Sequence, residues 1–535
     1  MSAPDPAPAA APAAALDEGA TPTGGAKTAS SPRWFRSPHL WVSTTYFGEG
    51  FPYTVVTSMA EILFKELGAS LQVIGLTSLL HLPWNFKFLW GPFLDSHESK
   101  RRWLLACELA IVAVLATIAL SLTWAGNNLM PLAAGFLVLA LLSATHDIAI
   151  DGYYLEALDD AEQSRFVGYR AAAYRLAMLA VGGPLLAICA RLGWTTGLLL
   201  TAAVMAALAL AHAFILPKVE ARGRPWFALA RGLLGWRALT CLVLAASLVA
   251  LEALWDVGSK LRLALEPLAT SLPWLAQLGV GAWAGIILLV ALLALLTWLP
   301  RLRRRLDAAR ERGELSDYAH SFVSFLDQPK IGVTIAFVLL FRTGESFLQK
   351  MRWPFFSDIV HLPLEVYGIA SGTIGVLASF AATIIGGRLI ARDGLRRWIW
   401  PFVLAQNVLN LLYMGVAMLP DPTVLAGAGA VASDPSSWLA WAPLTVIIAC
   451  EHAGAGLGTA VFMVYLMRTC APGHRAGHMA IVTALMSVGF TLAGVLSGYL
   501  AAAMGFATYF GFTFLATLPS MALVFFIPHL DGREP

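Results

Sequence analysis

Ser143-Ala-Thr-His-Asp-Ile-Ala-Ile-Asp-Gly152 closes an apolar run that begins near residue 130 and ends it with two aspartates, Asp147 and Asp151. The run is long enough to cross about 30 Å of hydrocarbon as a helix. A carboxylate at that depth costs at least about 2.5–3.5 kcal/mol to insert, and such residues mark ion or substrate pathways. The i, i+4 spacing sets both acids on one helix face, where like charges repel. Burial and repulsion both oppose the charged form, so the pair is a candidate for proton exchange near neutral pH. The two are expected to titrate as one coupled unit, with Asp147 the deeper group and Asp151 nearer the membrane edge.

The rest of the chain agrees with a membrane setting. Its 535 residues are 58% hydrophobic and 13% charged, against about 25% charged in soluble domains, and its mean hydropathy is +0.69. The net charge of +3 is small and the basic residues fall in short loops between apolar runs, so no nucleic-acid partner is implied. Cys107, Cys189, Cys241, Cys450 and Cys470 show no paired spacing and lie in or beside apolar segments. They read as packing residues; no disulfide, metal or cofactor is expected.

Outward from Asp147, apolar windows recur at 40–64, 70–94, 103–125, 130–155, 166–190 and 194–216, then at 237–255 and 276–299. A last group lies at 331–349, 364–390, 398–419, 439–467, 475–502 and 505–528. The pattern predicts an all-α membrane protein of about 14 spans, grouped about six, two and six. The domains follow as an Ala/Pro-rich disordered tail (1–38), an N-terminal bundle (39–216), a basic central region with two extra helices (217–330), a C-terminal bundle (331–528) and a short tail (529–535). The tail has no charged start followed by an apolar core, so the first helix reads as a retained span. Lys100, Arg101, Arg102, Lys218, Arg222, Arg224, Arg231, Arg301, Arg303, Arg304, Arg305, Arg392, Arg396, Arg397 and Arg475 fall on one side. Arg191, Lys260, Arg262, Lys350 and Arg352 are assigned to loops on the other, which predicts both termini cytoplasmic.

A repeat joins the two halves. Gly91-Pro-Phe-Leu-Asp95 precedes Lys100-Arg101-Arg102 after the second span, and Gly386 through Asp393-Gly394 precedes Arg396-Arg397 at the matching place in the last group. Gly91, Asp95, Arg101 and Arg102 thus form a structural loop motif with a counterpart. Any cytoplasmic hairpin can carry Gly and Arg, but matching positions in parallel halves are a transporter architecture.

The paired loops resemble the signature of the major facilitator superfamily. The run Gly75-Leu-Thr-Ser-Leu-Leu-His-Leu-Pro-Trp-Asn-Phe-Lys-Phe-Leu-Trp-Gly-Pro-Phe-Leu-Asp95 is similar to the second span of the AmpG muropeptide permeases and the related acetyl-CoA transporters. His146–Gly152 resembles their fourth span and Gly168–Met178 their fifth, while Phe341-Arg-Thr-Gly-Glu345 and Gly454–Met467 carry the likeness into the second half. It covers Leu40 to about Ile527, and that family also carries two extra helices between six-helix halves. Glu49 stands where a small polar residue is expected and His146 where an amide is more typical; the central loops are long.

Further candidates come from single charges inside spans. Lys87 lies mid-span and is read as a cavity residue paired with Asp147 or Asp151, with a fixed interhelical ion pair as the alternative. Arg175 offers a fork for carboxylates, or a static bridge to the fourth span; Arg170 reads as structural. Glu49, between Gly48 and Gly50 and before Pro52, suggests a broken first span and a third proton-handling acid, with Tyr46 and Tyr53 placed to stack on a sugar ring or simply to pack. Arg342 and Glu345, at i, i+3, pair with each other or touch cargo. Glu451, a cavity-facing candidate for cargo binding ranked below Asp147, opens the glycine run Gly454, Gly456, Gly458, which lacks the strand and Gly-Lys-Ser/Thr of a phosphate loop and reads as close helix packing.

Together these features predict a secondary active, proton-coupled symporter of the bacterial inner membrane, a monomer with a small-molecule cargo. By resemblance the cargo is an anhydro-muropeptide recovered in peptidoglycan recycling. A carrier of another anionic conjugate such as acetyl-CoA is the near alternative; a sensor or scaffold using the basic loops is a further one. A membrane enzyme built on His146 and Asp147 is disfavoured, since no metal or nucleophile motif accompanies them.

Overall fold

A computed structural model describes residues 37–87, 90–123, 129–218, 301–313 apart from 302 and 309, 317–425, 439–471 and 475–531. The N-terminal tail and the two expected central helices lie outside the described residues. The described part is all helical. Helix α1 is Pro38–Thr54, continued by a π turn at Val55–Met59 and by Ala60–Glu66. Helix α2 runs as Leu71–Leu76, a 3-10 turn Thr77–His81, and Leu82–Phe86.

Nine helical stretches among the described residues are long and apolar enough to cross a membrane. They are α3 (Lys100–Ser121), α4 (Leu129–Ala157), α5 (Arg165–Leu192), α6 (Trp194–Ile215), α7 (Ile331–Asp358), α8 (Leu364–Asp393), α9 (Leu395–Ala417), α10 (Ala442–Thr469) and α11 (Gly477–Leu523). Helix α11 is two arms, because Gly505 takes φ 73°, a left-handed geometry that only glycine adopts without strain. Phe214, Met130 and Phe525 are each more than 70% exposed on the outside of the bundle; large apolar side chains so displayed suit contact with lipid rather than water.

Two sequence expectations are corrected. The first span is not broken at Glu49: the helix runs through it, and the irregularity is the π turn after Pro52, whose ring nitrogen cannot donate the helical hydrogen bond. Lys350 and Arg352 are not loop residues: α7 continues to Asp358 and both side chains are buried within it. The apolar window ended at residue 349 because it was read on hydropathy, and here the charges are paired inside the protein.

The packing divides α1–α6 from α7–α11. Helices α1, α4 and α5 pack together, as do α3, α4 and α6; in the second set α10 packs on α8 and α9, and α7 on α11. The sets meet along two seams, α2 with α11 and α5 with α8. Glycines make both seams tight. A Cβ on Gly372 of α8 would stand 1.7 Å from the Gly182 carbonyl oxygen, and one on Gly498 of α11 would stand 1.9 Å from that of Leu71.

The apolar cores show where the halves join. At the end of the bundle away from Lys100–Arg102, one continuous core runs from Phe51, Leu63 and Phe136 to Phe355, Tyr367 and Phe510, so it belongs to both sets. At the basic end there are two separate cores, one around Trp41, Tyr153 and Phe166 and one around Ile399, Phe462 and Tyr465. The molecule is fused at one end and parted at the other.

Candidate functional site between the two helix sets

The apex of the parting is lined by charged side chains about midway along their helices. On α4, Asp147 is buried and its Oδ2 accepts from Lys87 Nζ at 2.5 Å. Lys87 follows the last turn of α2, where Pro83 gives a fixed start to the helical segment and the exposed end leaves the ammonium free to reach α4. Glu49 of α1 completes the group. Its carboxyl and that of Asp147 lie within hydrogen-bonding reach of one another, a bond two carboxyl groups make only when one holds a proton. The other oxygen of Glu49, Oε2, is buried without a partner.

Asp151, one turn along α4, is within electrostatic range of Asp147, Lys87 and Glu49 but takes its hydrogen bonds elsewhere. Its Oδ1 accepts from Arg170 Nη2 at 2.7 Å and from the Tyr46 hydroxyl at 2.8 Å. The Arg170 guanidinium lies over the Tyr46 ring at 4.2 Å and the Tyr154 ring at 4.5 Å. This is a closed structural clamp at the basic end, which holds Tyr46 by its hydroxyl and by its ring face at once. Tyr53 instead lines the apex. Its ring meets Trp84 edge-on at 5.0 Å and lies 5.8 Å from that of Tyr174, and the Arg342 guanidinium stands within electrostatic range of its hydroxyl.

The facing wall belongs to α7–α10. Arg342 grips Glu345 with both branches of its fork, Nε to Oε2 at 3.0 Å and Nη2 to Oε1 at 2.5 Å, and Gln349 donates to the same carboxylate at 2.7 Å. Glu451 of α10 is fully buried and is held by Arg352 at 3.0 Å, by His452 Nδ1 at 3.0 Å and by the Tyr413 hydroxyl at 3.3 Å. Both acids are thereby neutralised where they sit. Arg175 of α5 differs: its guanidinium rests over the Phe380 ring of α8 at 5.6 Å, and no carboxylate pairs with it among the described residues. It is a cation with its fork unspent, reaching across the parting.

In the loop motif, Gly91 opens a short helix, Arg102 pairs with Glu98 at 2.7 Å, and Arg101 takes the carbonyl oxygens of Ala213 and Leu216. The side chain of Asp95 lies outside the described residues. In the glycine run, a Cβ on Gly456 would stand 2.2 Å from the Ser379 carbonyl oxygen, so these glycines serve helix packing.

No protein-family model matches the chain. A curated protein of Escherichia coli strain K12, the anhydromuropeptide permease, is 23% identical over 483 residues, covering 89% of this chain and 77% of its own length. Over most of its length the chain is similar to that permease. An uncharacterized protein of Haemophilus influenzae is 25% identical over 511 residues, covering 94% of this chain and 96% of its own length. Among solved structures, that of the peptide transporter POT in complex with sulfate matches with a TM-score of 0.60 at 12% identity, over 93% of this chain and 96% of that one. At that identity the likeness is one of fold alone.

The structure also brings forward residues that sequence reasoning passed over. Glu61 of α1 meets Lys350 of α7 at 2.7 Å, Lys65 meets Asp358 at 2.7 Å, and Arg191 of α5 pairs with Glu365 at the start of α8. All three bridges cross between the helix sets at the fused end. Asn85 of α2 donates to Thr491 of α11 at 3.1 Å, a further link between the sets. Glu108 was missed as well, though a lone acid within the window 103–125 carried the same signal as Asp147.

Proposed function

We propose that this chain is a proton-coupled importer of anhydro-muropeptides in the bacterial inner membrane, working as a monomer of about 14 spans in the five-part division given above. Secondary transport itself follows from the permease relatives and the fold. The observation that carries the coupling reading is the Glu49–Asp147–Lys87 group: two acids and one cation, buried at the apex, whose charges balance when the acids share one proton.

With both termini cytoplasmic, the basic end faces the cytoplasm, and a single core with three ion pairs closes the outer end. That arrangement supports an inward-facing conformation. Cargo would lie between Lys87, Tyr53 and Arg175 on one side and Arg342 on the other, its carboxylates against the unspent fork of Arg175 and its sugar rings against Tyr53. Release of a proton to the cytoplasm charges the Glu49–Asp147 pair and strengthens its hold on Lys87, which frees an anionic cargo. A potential of 100 mV supplies about 2.3 kcal/mol per charge, enough to bias uptake roughly fiftyfold.

The test is uptake of labelled GlcNAc-anhydroMurNAc peptide into vesicles carrying the protein, with an inward proton gradient imposed or collapsed. Gradient-driven uptake that disappears in Asp147→Asn is the expected result. Absence of uptake by well-folded wild-type protein overturns the muropeptide assignment. Uptake of another anionic conjugate in the same vesicles would then reassign the cargo, because Arg175 suits any carboxylate or phosphate.

A further inference from the structure

Next to the carboxyl pair lies a second buried cluster. Glu108 of α3, His146 of α4 and His212 of α6 are fully buried. His212 Nδ1 is 2.6 Å from Glu108 Oε1, and His146 Nε2 is 3.5 Å from the same oxygen. Helix α1 closes over them at Gly48, where a Cβ would lie 3.6 Å from Glu108 Oε1 and 3.8 Å from the Cε1 of each imidazole. Glu49 follows Gly48 and Asp147 follows His146, so the two clusters are mounted on the same two helices, one residue apart on each. Glu108 Oε2, His146 Nδ1, His146 Nε2 and His212 Nε2 are all buried without a hydrogen-bond partner.

The electrostatics limit what this cluster can be. A buried carboxylate needs a counter-charge, and the hydrogen bond from His212 lets one imidazolium provide it, leaving the cluster neutral. A second imidazole at 3.5 Å from the same oxygen is then redundant for neutrality, and its unpartnered nitrogens are free to bind a proton. Its nearest charges decide whether it does. Cys107 stands beside Glu108 on α3, Glu49 is on α1, and Asp147 is on α4 with Lys87 of α2 against it. From α6 only His212 faces in, with Arg101 bound to carbonyl oxygens at that helix's end. When Glu49 and Asp147 share a proton, their charge is cancelled by Lys87. When that proton leaves, one negative charge is uncompensated next to His146.

We propose that Glu108, His146 and His212 form a second proton-binding site, which takes up a proton as the Glu49–Asp147 pair loses one. The bond broken is the carboxyl O–H of that pair and the bond formed is an N–H on the second imidazole, which later breaks as the proton passes on to the cytoplasm; no other reactant is needed. The two sites would then hold the proton in turn, and the buried field would stay nearly constant until the imidazolium releases it. This rests on the proton-coupled reading above, but it is tested without cargo or transport.

The experiment is nitrogen NMR of the histidine rings in the purified full-length chain in lipid nanodiscs, from about pH 5 to pH 9. His146→Gln and His212→Gln assign the signals. The expected wild-type result is one imidazolium shared by these rings at high pH and a second appearing as pH falls. In Asp147→Asn the second imidazolium should be at least about twofold less populated at pH 7, because the charge that attracts it is gone. In His146→Gln, which keeps the Glu108–His212 pair and tests the idea should Glu108→Gln not fold, the second uptake should vanish. Rings whose charge is constant across the range, or whose second uptake ignores Asp147→Asn, overturn the proposal. Failed uptake of muropeptide with ring titration intact would count against the cargo reading alone.

Discussion

Glu61 and Lys350 are 289 residues apart in the chain, yet their side chains meet at 2.7 Å inside the protein, one on α1 and the other on α7. Both are mostly buried, and they join the two helix sets at the end where the apolar core is continuous. Lys65–Asp358 and Arg191–Glu365 flank them. An outward-opening motion must part these groups, so the bridge resists that motion from within.

Lys350→Met should therefore leave Glu61 as an uncompensated buried acid. The cost of breaking a buried pair is about 3–5 kcal/mol, felt chiefly by the closed state. Spin labels on either side of this seam should report a wider distance distribution at the outer end. Restoration of the narrow distribution by Glu61→Lys combined with Lys350→Glu would show that the charge pair, and not side-chain volume, holds the seam.

Lys87→Met removes the cation from Asp147 while Glu49 remains beside it. We expect uptake to fall to background and the melting temperature to drop, by less than a fully buried pair would give because Lys87 is 36% exposed. Adding Asp147→Asn should recover much of the melting temperature and none of the uptake. A double variant no more stable than the single one would mean that Lys87 stabilises the fold through its aliphatic stem instead.

Arg175→Gln should separate binding from folding. With the Phe380 ring against its guanidinium and no carboxylate paired with it among the described residues, its loss should leave the melting temperature within about 1 °C, as for substitutions away from buried pairs. The KM for an anionic cargo should rise about 10–100-fold, the worth of one or two hydrogen bonds to a charged group. Arg342→Gln, which strands the buried Glu345, should instead lower the melting temperature. Equal effects of the two variants on stability would contradict the distinction.

The glycine seams predict a position-specific response to one methyl group. Gly372→Ala places a Cβ 1.7 Å from a backbone oxygen of α5, and neither backbone can yield without separating the helices. The expected destabilisation is about 1–3 kcal/mol, with loss of uptake. Gly332→Ala on α7 meets nothing within 4 Å and should be neutral or stabilising by about 0.5–1 kcal/mol through lower unfolded-state entropy. Thermal unfolding of the two variants in the same detergent distinguishes these outcomes.

Much of the site was legible because charge in an apolar run is conspicuous. Asp147, Lys87 and Glu49 stood out for that reason, and the structure puts them in one group. Asp151 stood out equally but belongs to a clamp with Arg170 and Tyr46, which no spacing along α4 could distinguish from a coupling role. Lys350 and Arg352 were hidden by the opposite error: paired charges make a span look finished when the helix goes on. His146 was noted only beside Asp147 and His212 not at all, because their meaning depends on Glu108 from a third helix.

The sequence by itself determined that this is a helical protein with several runs long and apolar enough to cross a membrane, and which lone charges need an explanation. Those are one-dimensional consequences of hydrocarbon thickness and of the cost of inserting charge. Only the tertiary structure decided which charge answers which, because ion pairs within a bundle form between helices hundreds of residues apart. It also decided which end of the molecule is fused, since that depends on small residues from both halves meeting at the same depth, a coincidence no single helix records.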